Sequence, residues 1–371
     1  MANTFISVKQ IARETLPRLI DNLVFPNLIY RDIGQTGSAK KGDTVAIRRP
    51  VKLTAQDFSA SDGVNTQNIA EESVNVKLDR IATVDAEVSA LEGALDFDSV
   101  KRLFIEPAAA ALAEKINNDG LDLYRDIPYV AGEAGKTPGA LSDFALAAYM
   151  LDSNKVPTSS RSAVWSPEAT AAFKQIPALI SAEKNGESAA LRSGAVGDVF
   201  GISNYMTQAV RYHEAGNLSA GSGKIIVDSK GTNKDELILT TNSAGGLTGG
   251  VVKGDVLKIG VKTYTVKQDS DAQGSKISVK LYPAANVSSG EEVIVTPSHS
   301  ANLVFHPSAF GFVSRPLPAP AGVESYVTTY NGISLRVVRG YDMKYKREML
   351  SMDVLYSFAT LYPELACRYM G

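Results

Sequence analysis

A single cysteine in 371 residues, Cys367, excludes an intrachain disulfide framework and any cysteine-based zinc site. That usage fits a reducing compartment. Histidine is nearly as scarce: His213, His299 and His306 lack the HExxH pattern that sets two imidazoles on one helix face. No acidic or cysteine partner stands at metal-ligand spacing from them, so surface or helix-end positions are expected, with no metal and no other cofactor. Nowhere do about 18 apolar residues run together, which argues against a membrane-crossing helix, and the N-terminus MANTFISVKQIARETLPRL lacks an apolar core of signal-peptide length. An excess of one charge is missing too. The 38 Lys and Arg against 40 Asp and Glu leave a net charge of −2, without the basic field that drives tight binding to nucleic-acid phosphates.

What is present is an ordinary globular composition, 44% hydrophobic and 21% charged, long enough for two or three domains. The most organised stretch is 97–126, FDSVKRLFIEPAAAALAEKINNDGLDLYRD. Val100, Leu103, Phe104, Ala108, Ala111, Leu112 and Ile116 recur at three- and four-residue spacing, the signature of one apolar stripe on a long helix. Pro107 interrupts it: a proline removes a backbone donor and crowds the preceding turn, which predicts a kink or a restart with Pro107 near a first turn.

Before that helix, an amphipathic segment carries Ile6, Ile11, Ala12, Leu16, Leu19 and Ile20, with Pro17 expected to break or kink it, and is read as a helix and tail lying on a neighbouring surface. Residues 1–50 hold eight basic and four acidic residues, a local balance of +4. GDTVAIRRP (42–50) reads as a strand and SVNVKLDRIATVDAEV (73–88) as its antiparallel partner. The polar loop 51–72 between them is longer than compact domains tolerate without a function; disorder and a hairpin tip reaching another subunit both fit.

After the long helix, 141–154 reads as a helix capped by Ser142 or Asp143, SAVWS (162–166) as a strand, 167–174 as a helix opened by proline, and 197–210 as a bend and strand. From 216 to 297 helical periodicity vanishes. IIV, ELILTT, GDVLKIG, KTYTVKQ, KISVKLY and EEVIVTP are six strand-like runs between Gly, Asn, Asp and Ser turns, the pattern of a small inserted antiparallel barrel. Helical character is expected again over 298–311, ANLVFHPSAFGF, followed by strands ESYVTTY, ISLRVVRGY and EMLSMDVLYSFATLYPELACRYM that return to partners near residues 80 to 90.

Motifs for catalysis fail on context. Gly135-Lys136-Thr137 resembles the end of a phosphate-binding loop, but position 130 is Val where Gly is required and Pro138-Gly139 follows where a helix should start. Ser181 to Lys184 has Ser-x-x-Lys spacing with nothing else of a hydrolase. Trp165, Tyr356 and Tyr362 read as core, and no enzyme is expected.

Three stretches carry a family resemblance. Residues 194–210 look like a central-domain bend and strand, VVKGDVLKIGVKTYTV (251–266) like a "GD" strand and hairpin of an insertion domain, and DVLYSFATLYPEL (353–365) like a closing segment. In that order the chain resembles the major capsid (coat) proteins of tailed bacteriophages with the Hong Kong 97-type fold. More narrowly it is similar to the branch with an inserted β domain first known from a short-tailed Salmonella phage.

The resemblance implies an α+β fold with an N-terminal arm (1–40), an extended hairpin loop (41–80), a peripheral domain (81–136 and 323–371) with spine helix 97–126, an axial domain (137–223 and 298–322) and the β insertion (224–297). It implies hexamers and pentamers of this chain in a shell around double-stranded DNA, bound without sequence specificity and without a membrane. A scaffolding protein, a portal and a decoration protein are the expected partners. Asp228, Lys230, Lys234, Asp235 and Glu236 fall where the insertion projects toward a neighbour, and Lys52, Asp57 and Asp62 fall in the overlapping loop. Arg13 and Arg18 are candidates for scaffold or DNA contact, and Pro107 for a kink in the spine; no covalent cross-link is expected. A nanocompartment shell of the same fold, usually shorter and without the insertion, and a β-rich surface binding module are the competing readings.

Overall fold

The computed structural model describes residues 7–31, 40–48, 73–88, 101–180, 194, 196–231, 233–243, 245–342 and 347–371, which divide into two units. The first takes 1–22, 31–113 and 311–361. Its helix Val8–Asn22 buries Val8, Ile11, Ala12, Leu16 and Leu19 on one stripe, packed on strands Glu324–Tyr330 and Ile333–Asp342 of the same unit. It runs through Pro17 unbroken, and its apolar face is spent inside its own unit instead of on a neighbour. Proline on the exposed side costs one hydrogen bond but removes nothing from the buried stripe.

The long strand Arg347–Thr360 centres the first unit's sheet, antiparallel to Ile333–Asp342 on one side and to Arg80–Val88 on the other. Arg336 stands directly opposite Asp353 in that register and forms a 2.6 Å ion pair with it. Residues 73–88 are therefore two strands. Ser73–Lys77 pairs with Thr44–Arg48, whereas Arg80–Val88 pairs with Arg347–Thr360. The even-numbered positions Val76, Leu78 and Ala82 stay buried across the break, so alternation alone does not reveal the change of partner. The expected loop tip 51–72 lies outside the described residues.

The long helix is three geometries in succession: a π turn Lys101–Ile105, an α-helix Glu106–Leu121 and a 3-10 turn Asp122–Asp126; residues 97–100 lie outside the described residues. Pro107 is the second residue of the α segment and follows directly on the π turn, the widened geometry that takes in a residue without a backbone donor inside a continuing helix. Two residues expected on the stripe are exposed: Leu103, 71% exposed where the wider π turn rotates the residues before the α segment, and Ala111; Ala108, Leu112 and Ile116 are buried as expected, and Ile105 joins them. The chain passes from the first unit to the second inside this helix, between Ala113 and Glu114.

The second unit, 23–30, 114–310 and 362–371, holds a mixed sheet in the order Val130–Gly132, Ala366–Met370, His299–Phe305, Arg161–Trp165, Ile202–Met206, Asp198–Val199. Two expectations are corrected here. Residues 298–311 are not helical but a fully covered strand, a 3-10 turn Pro307–Ala309 and the start of strand Phe310–Arg315. A central strand buried on both faces reads as a continuous apolar run, which periodicity cannot separate from a buried helix. The last strand, Ala366–Met370, pairs with His299–Phe305 and Val130–Gly132, not with residues near 80 to 90.

Helices Leu141–Ser153 and Pro167–Phe173 pack with this sheet. The N-cap of the first is Ala140; Asp143, three residues on, accepts from Gly139 and Ala140 N–H at 2.7 and 2.8 Å. Ser166 caps the second, accepting from the Ala169 N–H at 3.2 Å. Phe144, Trp165, Phe173 and Tyr369 form the aromatic core, with ring centroids 4.3 Å apart for Phe144–Phe173 and 5.0 Å for Trp165–Phe173. Trp165 Nε1 donates to Asn204 at 2.8 Å, which satisfies the one polar atom of the indole.

All six strand-like runs are strands of one antiparallel sheet, ordered Ile225–Lys230, Glu236–Thr241, Lys276–Tyr282, Lys262–Val266, Val256–Ile259, Val293–Val295. Strict alternation explains it: Ile277, Val279 and Leu281 point in, with Lys276, Ser278 and Lys280 pointing out. Val227, Leu237, Leu239, Leu257, Ile259 and Val266 complete a core separate from the aromatic one. Phe173→Ala should destabilise the protein by about 3–5 kcal/mol through the cavity left between Phe144 and Trp165, read as a lowered urea midpoint.

Candidate functional site

The chain leaves the mixed sheet for the six-stranded one near residue 213 and returns near 299, and the antiparallel pairing of Tyr212–His213 with His299–Ser300 sets His213 opposite His299. Their ring centroids are 5.3 Å apart. The turn Gly254–Asp255 meets them. Gly254 has φ +97°, a left-handed conformation that disfavours any side chain, and a Cβ there would stand 2.7 Å from Cγ of Arg125. This glycine lets the turn approach closely enough to insert Asp255.

Asp255 is 0% exposed, and an ionised carboxylate without water must be saturated by donors. It is: His213 Nε2 donates at 2.9 Å, Val252 N–H at 2.8 Å, and Gly216 N–H at 3.2 and 3.1 Å to the two oxygens. With Nε2 as donor, His213 Nδ1 accepts from the Tyr124 hydroxyl at 2.9 Å. Tyr124 belongs to the 3-10 turn that ends the long helix.

Arg368, also 0% exposed, comes from the last strand. Its Nη1 donates to the Gly254 carbonyl at 2.9 Å and its Nη2 to the Tyr124 carbonyl at 2.7 Å. The guanidinium lies 4.8 Å from the Tyr124 ring centroid, and its Nε is buried without a hydrogen-bond partner. Thr265 adds a bond from the six-stranded sheet to the Arg125 carbonyl at 2.8 Å, and Arg211 pairs with Asp122 at 3.0 Å. One junction thus ties the helix end, both connections of the six-stranded sheet, its Gly-Asp turn and the last strand.

Burial, with Arg368 adding to it, pushes the His299 imidazole down to about 4, opposed by its bond to the Pro297 carbonyl. Burial also lowers Arg368 to about 10, still charged at neutral pH, and raises the Cys367 thiol to about 12, far from a nucleophile's range. Tyr124, His213 and Asp255 have the order phenol, imidazole, carboxylate that a proton relay uses. All three are buried and the hydroxyl is spent on His213, so no substrate atom reaches it. The arrangement is a structural lock. Among the described residues no group of three His, Cys, Asp or Glu is placed to hold a metal.

Surface positions were expected for the histidines, and two are corrected: His213 and His299 are buried in this network. Their carboxylate partner lies 42 residues from His213, so spacing in the sequence carries no sign of it. His306 does sit at a helix end, where its Nδ1 accepts from Ser308 N–H at 3.3 Å. The sequence carries no sign of Asp255 or Arg368, because an acidic residue in VVKGDVLKIG and an arginine in ACRYM read as outward-facing residues of strands. Lys136 of the Gly-Lys-Thr run is exposed in a turn, without a helix following it until Leu141.

The other candidates fall elsewhere. Asp228, Lys230, Asp235 and Glu236 lie on the first hairpin of the six-stranded sheet and bond Lys276 (2.7 Å), Asn286 (2.8 Å), Lys267 (3.4 Å) and Ser278 (2.6 Å) respectively. Lys276 holds the Asp228 carboxyl below its ordinary range. Lys234 is exposed. Arg13 is exposed on helix Val8–Asn22, whereas Arg18 pairs with Glu106 at 2.6 Å. Lys52, Asp57, Asp62 and the Ser181–Lys184 spacing lie outside the described residues.

Asp255→Ala should cost roughly 3–5 kcal/mol, because it strands the Gly216 and Val252 N–H groups and takes from Arg368 one of the two carboxylates, Asp255 and Asp126, that act on it. Lys224→Ala, which breaks an exposed pair with Glu292 on the same sheet, should leave the urea midpoint nearly unchanged.

No protein-family model and no curated protein matches this chain. Solved structures do. One from Mycobacterium phage Che8 covers 94% of this chain and 90% of its own at a TM-score of 0.52 and 17% identity. The capsid structure of the cyanophage P-SCSP1u covers 94% and 88% at a TM-score of 0.50 and 12% identity. At these identities the likeness is one of fold: the chain has an α+β fold of the Hong Kong 97-like capsid type.

Proposed function

We propose that this chain is the major capsid protein of a tailed phage, self-assembling into the icosahedral shell that encloses a double-stranded DNA genome. The observation that carries the reading is the extent of the likeness, since 94% of the chain follows a fold seen in a phage capsid. The chemistry agrees. The relay-like constellation of Tyr124, His213 and Asp255 is sealed from solvent, which suits a protein whose work is geometry. Heterologous contacts repeated around five- and six-fold positions close into a shell, with many modest interfaces stabilising it together.

Within this reading the chain belongs to the branch with an inserted β domain, 224–297. Its six strands have their own core, and its first and last strands meet through the Ile226–Glu292 bridge, Val227 N–H bonding the Glu291 carbonyl at 2.9 Å. The remaining parts are the arm 1–40, the extended hairpin 41–80, the peripheral domain 81–136 and 323–371 around spine 97–126, and the axial domain 137–223 and 298–322. Partners are further copies of this chain, a scaffolding protein, a portal and a decoration protein. Lys52, Asp57 and Asp62 touch the adjacent subunit, Arg13 and Arg18 face scaffold or DNA, and Pro107 lets the spine change its bend with shell curvature. The exposed Lys234 is the side chain of the hairpin best placed to reach a neighbour.

Negative-stain microscopy of the chain expressed with its scaffolding partner should show phage-sized shells; absence of any particle would overturn the reading, and small shells would favour a nanocompartment. The double variant Lys230→Glu/Lys234→Glu should fold as the parent does by circular dichroism but yield several-fold fewer particles. Normal yield would remove the hairpin contact.

A further inference from the structure

The junction around Asp255 holds a titratable contact that the shell reading does not use, and the inference does not depend on that reading. The Pro297 carbonyl can only accept, so His299 Nδ1 carries the ring proton and donates to it at 2.8 Å. The neutral ring then presents its Nε2 lone pair to Arg368 Nη1 at 3.5 Å. We propose that this pair makes the junction an acid-released latch: a second proton on His299 Nε2 sets an imidazolium against the Arg368 guanidinium and frees the Gly254–Asp255 turn from the last strand.

The surroundings offer that proton no relief. His299 faces Arg368 on Ala366–Met370, His213 on Tyr212–His213, and Asp255 on the turn before Val256–Ile259, while Tyr124 and Asp126 from the 3-10 turn and Cys367 next to it in the strand act on Arg368. Asp255 is the nearest carboxylate to act on the ring, and its oxygens are already engaged by His213, Gly216 and Val252. Arg368 leans on two carbonyls, so its hold on the turn is one hydrogen bond to Gly254 at 2.9 Å. The core of the six-stranded sheet contains none of these groups, so release is local.

The direction follows from linkage. The closed junction keeps His299 at about 4, below its ordinary 6.5, so the opened junction binds the proton more tightly. The latch is fully closed above the ordinary imidazole value and weakens as pH falls toward 4. Across that window one proton makes opening about tenfold more favourable per pH unit.

Hydrogen exchange on the purified full-length chain from neutral pH down to mildly acidic pH tests this, with His299→Asn beside the parent. Asparagine keeps a donor for the Pro297 carbonyl and does not titrate. After correction for intrinsic exchange, the Gly216 and Val252 amides, which bond Asp255, should lose protection more steeply in the parent, by about tenfold per pH unit. The Ile277, Val279 and Leu281 amides should stay protected. Equal slopes in the two proteins, or simultaneous loss in the Lys276–Tyr282 strand, would overturn the latch. If the variant does not fold, the His299 ring signal in the parent decides: titration well below the ordinary imidazole value supports the latch, and titration at that value removes it.

Discussion

A carboxylate with no water around it governs how this molecule is joined. Asp255 sits at 0% exposure and is tolerable only because His213, Gly216 and Val252 converge on it. Buried ionic networks are often no more stable than apolar replacements of the same volume. What such a network supplies is direction, since each hydrogen bond fixes the angle and register of the segment that makes it. Here it aligns the end of the long helix, both connections to the six-stranded sheet and the last strand of the chain. Gly254 is required for the approach, and Arg368 closes the far side by bonding the turn and the helix end together.

The two cores of the second unit show why such a junction is used. The aromatic cluster around Trp165 and the aliphatic cluster around Leu239 and Val279 are each complete, so neither dictates the orientation of the other. A purely apolar seam between them would permit sliding. Directional polar contacts at one point do not, and in a shell subunit, as proposed, orientation is what repeated contacts read.

The long helix poses the complementary question of how one element serves two units. It changes geometry at both ends, from a π turn through the α segment to a 3-10 turn, and each change redirects side chains without ending the helix. Leu103 is turned outward at the start, while Tyr124 is delivered to the junction at the finish.

From the sequence alone came the elements whose pattern is local. Strict alternation in KISVKLY, proline at the first turn of Pro167–Phe173, and the Ala108, Leu112 and Ile116 part of the long helix's stripe depend only on neighbours in the chain, and all six runs of the β region are strands. The order of these elements was enough to suggest the fold. The tertiary structure decided what depends on partners: that 73–88 divides between two sheets, that 299–305 is a covered strand, and that Ala366–Met370 closes the second unit instead of the first. It also assembled the junction. His213 and Asp255 are 42 residues apart, and Arg368 lies a further 114 residues beyond Gly254, so nothing in their spacing couples them. A hydrogen bond is satisfied by distance and angle in space, and only folding determines which residues meet those terms.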